Sequence, residues 1–83
     1  MTTYLGLSRD ELVRLGARFY TAQQLIQFGV DIDLLVAHLM YIGDATPLTQ
    51  HGIMVNPLQH EIIVRRLSGN PGTVSEIVIM RRL

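Results

Sequence analysis

Three histidines, His38, His51 and His60, are the side chains in this sequence best suited to holding a metal ion or moving a proton. Their spacing, H-x12-H-x8-H, matches no metal-ligand frame. His38 falls in an apolar stretch with no carboxylate one helical turn away, so a hydrogen-bonded core or interface role is expected. Asp31 and Asp33 have the D-x-D opening of a calcium loop. Leu35, Val36 and His38 follow, however, where further oxygen ligands and a glycine are needed. Helix capping accounts for both acids. Glu61 and Glu76 fall where two strands would face each other, but arginines flank each, so surface ion pairs are expected rather than acid–base work. The absence of cysteine removes disulfides, thiolate zinc and a thiol nucleophile. No serine or threonine stands in a nucleophile elbow, and Gly69-Asn70-Pro71-Gly72 lacks the ending of a phosphate-binding loop. No catalytic residue, cofactor or metal is expected, and no enzyme.

What remains is charge and hydrophobicity. All seven cations are arginine: Arg9, Arg14, Arg18, Arg65, Arg66, Arg81 and Arg82. Residues 1–60 carry three of them against five acids, a net of −2; residues 61–83 carry four against two, a net of +2. The sum of zero argues against strong nonspecific attraction to nucleic acid or an anionic membrane. At 48% hydrophobic residues, 83 residues make one small domain, 1–83, rather than a disordered chain. No apolar run reaches membrane-span length, and MTTYLGLSRDEL has no basic region ahead of an apolar one, so a cytoplasmic protein is expected.

The elements follow from punctuation. Ser8 and Glu11 form a capping box, and apolar or small residues then recur at Leu12, Leu15, Phe19, Ala22, Ile26 and Gly29. That seam favours one helix over about 8–28. A second parse ends a helix near Gly16 and restarts it at Thr21, with Thr21 and Gln24 as a new capping box. Gly29 closes the helix, and Asp31 or Asp33 caps the next, about 32–42, which is apolar on nearly every side. Ile53-Met54-Val55 suggests a short strand. Residues 61–67 and 76–83 are near copies, rich in β-branched residues, with strands expected over about 61–67 and 74–82, and Pro71-Gly72 suits the centre of a type II turn between them. Both strands carry apolar residues in succession, which implies cover on both faces, and the chain has little left to make a second layer.

The expected architecture is α+β: an N-terminal helical hairpin followed by a small antiparallel β-meander of two or three strands. Apolar surface beyond what one small core can hide then points to a non-enzymatic protein-interaction module, expected as a homodimer or bound to another protein. Leu34, Leu35, Leu39 and Met40 on the second helix are the expected interface, with Ile63, Ile79 and Met80 on the strands. Arg65, Arg66, Arg81 and Arg82 would form its rim. Small domains of this kind are common among phage and mobile-element inhibitors of host machinery, including anti-CRISPR proteins, a class with no motif of its own. Steric blockade is expected over DNA mimicry, since seven acids are too few for a mimic. The alternative is a winged-helix or helix-turn-helix DNA-binding regulator. If the break before Thr21 is real, residues 21–28, Gly29 and 31–42 have helix-turn-helix spacing, and the 68–72 loop becomes the wing. Asp31 and Asp33 at the start of the reading helix, and the lack of base-reading side chains along it, weigh against that alternative.

Overall fold

The computed structural model describes residues 7–82. Residues 1–6, half of the stretch read for a leader, and Leu83, the last residue of the second strand copy, lie outside the described residues. The chain folds as an α+β domain with its helices ahead of the main β-hairpin. Helix α1 spans Arg9–Arg14, strand β1 Arg18–Thr21 and helix α2 Ala22–Phe28. Helix α3 spans Ile32–Ala37 and runs on through a π-helical turn, His38–Ile42. A short α4, Thr46–Thr49, leads into β2, His60–Leu67, and β3, Asn70–Arg81. The antiparallel sheet has the order β1-β3-β2.

The single helix expected over 8–28 is therefore two helices and a strand. Ser8 caps α1 with Glu11 in the reciprocal arrangement, but Leu15 ends it and Gly16 turns the chain at φ +82°, a conformation open to glycine at little cost. Arg18–Thr21 then pairs with β3, Phe19 opposite Val78 and Tyr20 opposite Ile77. Thr21 and Gln24 form the second capping box, which restarts the helix as α2. The periodic seam misled because a four-residue strand needs only one apolar residue in phase with it. In the fold Leu25 is buried, while the seam residue Ile26 is exposed.

Two further expectations change. Ile53–Val55 pairs with no strand; Ile53 drops into the core while the exposed Met54 accepts a hydrogen bond from the Arg18 guanidinium at its carbonyl. The hairpin turns at Ser68-Gly69, where Leu67 pairs with Asn70 and Gly69 takes φ +80°. Pro71 and Gly72 instead belong to β3, beyond irregularities in register after Arg65 and Arg66.

The sheet has a core on each face. On one side Leu25, Val30, Leu35, Leu48 and Ile53 pack against Ile77 and Ile79. On the other, Leu12 of α1, backed by Ala17 and Phe19, covers Ile63, Val78 and Met80. Two turns of helix thus supply the second layer. Burying one leucine this way contributes about 2 kcal/mol, and the guanidinium of Arg9, 4.1 Å from the Phe19 ring centre, closes the edge of the patch. Among the described residues no single helix is long and apolar enough to cross a membrane.

Candidate interaction surface

Helices α2 and α3 meet at 106° across Gly29-Val30-Asp31, within the angular range of a helix-turn-helix. The corner is held by chemistry the sequence displays. Gly29 takes φ +95°, a conformation that L side chains rarely adopt, and the His51 ring lies 3.3 Å from where a β-carbon would stand. Val30 is buried behind it, and Asp31 Oδ1 accepts from Leu34 N at 3.1 Å to cap α3. Strand β1 precedes this pair of helices in the chain, and the β2–β3 hairpin follows it.

The expected interface residues divide sharply. Leu35, Ile79 and Met80 are fully buried and Ile63 nearly so. The four are core, because the two helical layers cover both faces of the sheet and α3 turns Leu35 inward. Leu39 is half-buried against the core. Leu34 and Met40 are exposed, at 46% and 64%. Three exposed residues absent from the expected set join them: Asp33 in the first turn of α3, beside Leu34, and Tyr41 at 83% and Ile42 at 66% at its far end, beside Met40. Tyr41 and Ile42 were legible only as the tail of an apolar helix. The π-helical turn re-phases them outward, with Gly43 N donating to His38 O at 2.8 Å to close the helix.

Three of the four rim arginines are engaged. Arg65 lies 3.4 Å from Glu76, Arg66 donates to the Pro71 carbonyl at 3.2 Å, and Arg82 pairs with Glu61 and with the Pro57 carbonyl. Arg81 is exposed, with no such contact among the described residues. Glu76 also takes Arg9 at 3.1 Å, so the two hairpin glutamates each face arginines and not each other.

The histidines do not converge. His51 packs at Gly29, His60 Nδ1 accepts from Asn56 N at 3.0 Å, and His38 sits at the foot of α3. Among the described residues no three His, Cys, Asp or Glu side chains are placed to hold a metal. His38 does meet a carboxylate, at six residues' remove: its buried Nδ1 lies 3.6 Å from Asp44 Oδ2. A turn-based search misses this contact because the chain reverses at Gly43. The Thr46 hydroxyl, then its amide and His38, hold the Asp44 carboxyl below its usual value, burial opposing them. No family model, curated protein or solved structure matches this chain.

Proposed function

We propose that this chain is a non-enzymatic protein-interaction module on a winged helix-turn-helix scaffold, acting by steric occupation of a partner's surface through the outer side of α3. The scaffold reading is supported by the 106° corner, the strand order β1-β3-β2 and the hairpin that follows the helices. The observation that carries the protein-binding reading is what α3 presents: Asp33, Leu34, Met40, Tyr41 and Ile42, without an Arg, Lys, Asn or Gln among Ile32–Ile42. Methionine and aromatic residues are enriched where proteins bind proteins, whereas base edges are read by cations and amides. Asp31 and Asp33 repel phosphates at the end of the helix that a DNA reader would insert. A short blocker of host machinery, of the kind phages and mobile elements encode, is a role this surface suits.

The helix-turn-helix corner, with Arg65 and Arg66 on the hairpin, favours DNA as the second reading. Titration of a random-sequence duplex at about 50 and about 200 mM salt separates the two. The protein reading expects no salt-dependent binding. Binding that weakens steeply with salt, and is lost in an Arg65→Ala/Arg66→Ala variant, would establish the DNA reading. The positive test is capture from the native host with wild type and with Met40→Glu/Tyr41→Glu. A partner held by wild type and lost by the folded variant is expected. The same partner held by both would reject α3 as the docking element.

A further inference from the structure

The outer edge of β2 carries a self-complementary pattern, and we propose that two copies of this chain join there into one six-stranded antiparallel sheet. This inference stands on the β2 edge and not on α3. With the order β1-β3-β2, strand β2 has among the described residues a neighbour on one side only. Arg82 N donates to Gln59 O at 2.9 Å, so 59 and 82 form a hydrogen-bonded pair, and Glu61, Ile63 and Arg65 turn their backbone groups toward β3. The alternate residues Ile62 and Val64 therefore point their N–H and C=O groups outward. Among the described residues, neither makes a backbone hydrogen bond outside the sheet. His60, the next outward residue, donates its N–H to Asn56 O at 2.8 Å, which ends the free edge on that side. Register irregularities after Arg65 and Arg66 interrupt the regular ladder on the other. A short free stretch is left between two stops.

Its sequence, Glu61-Ile62-Ile63-Val64-Arg65, is antisymmetric in charge about Ile63. An antiparallel pair with Ile63 opposite its own copy places Ile62 opposite Val64 twice and Glu61 opposite Arg65 twice. The parity also fits. Ile62 and Val64 both point outward, so they exchange four backbone hydrogen bonds across the two-fold axis, while Glu61–Arg65 falls on the closer, non-hydrogen-bonded pairs. Each such pair extends an existing alternation: Arg82 beside Glu61, the copy's Arg65, then that copy's Glu76. Ile62 and Val64 are only partly buried in the single chain and gain cover. The contact is isologous and occupies the β2 edge of each copy, so it closes at two copies. The dimer would present two α3 faces.

Sedimentation equilibrium on the full chain is expected to give twice its 9.3 kDa mass, with amide exchange at Ile62 and Val64 slowing as concentration rises. Val64→Pro removes an outward N–H that β3 does not use, a substitution edge strands tolerate, and should weaken the dimer at least tenfold with the fold retained by circular dichroism. Glu61→Arg and Arg65→Glu each set like charges opposite and should be monomeric alone. Mixed together they should form a heterodimer, visible by native mass spectrometry, because both cross-pairs become opposite in sign. A monomeric wild type, or dimerisation unchanged in Val64→Pro and in both charge variants, would overturn the proposal.

Discussion

The two most apolar stretches of the chain, the paired strands and α3 with its π-helical turn, meet opposite fates. Ile77, Val78, Ile79 and Met80 are sealed on both faces of the sheet, whereas the far end of α3 leaves Met40, Tyr41 and Ile42 largely in water. Local composition is the same in kind. What differs is the number of layers: β3 is the central strand with α1 on one side and α2–α3 on the other, while α3 has a core on one side alone. An apolar run marks a demand for cover, and only the neighbours in space show whether the chain itself meets that demand.

The contrast is sharpest in the strand core. Ile79→Ala should cost about 2–5 kcal/mol in urea unfolding, since the site is closed on every side and leaves a cavity. Leu12→Ala tests whether α1 truly seals the second face. It should cost about 2–3 kcal/mol and raise binding of a hydrophobic dye, because one short helix is all that lies there. A change near zero would mean that face is covered by something else.

Thr21→Ala should cost about 1 kcal/mol by removing the cap that restarts the helix after β1. Thr46→Val probes the foot of α3. Asp44 is held below the usual carboxylate range, so its contribution is present above about pH 4 and fades as pH falls through the folded value. The stability difference between wild type and Thr46→Val should therefore hold from neutral pH down to about pH 4 and shrink as pH falls below it. Smallest of all, Met40→Ser and Tyr41→Ser should leave stability within about 0.5 kcal/mol. A large loss from either would place them in the core and erase the contrast.

Much of this arrangement was legible. Both capping boxes, the Gly29 corner, the Asp31 cap and the strand pair follow from side chains that act on their own backbone, so local sequence carries them. Strand β1 was hidden because Arg18–Thr21 gains its partners from residues some 60 positions on, and a one-dimensional period cannot see that pairing. The burial of Ile63 and Met80 was missed for the same reason: the cover is Leu12, brought over by a turn at Gly16. The exposure of Tyr41 depends on a π-helical turn that shifts the helical phase, and the His38–Asp44 approach on the reversal after it. Each miss is a tertiary placement. The α3 surface was half legible, through Leu34 and Met40, while three of the four expected rim arginines, Arg65, Arg66 and Arg82, make contacts within the chain.

Tyr41, at the exposed end of α3, is the position where contact with a protein partner is most directly tested. A photo-crosslinking amino acid placed there, in the native host, should join this chain to one discrete protein, and the same group at Ile79, buried on the central strand, should give only internal products. Crosslinks from position 41 to DNA, or none at all from a folded protein, would contradict it.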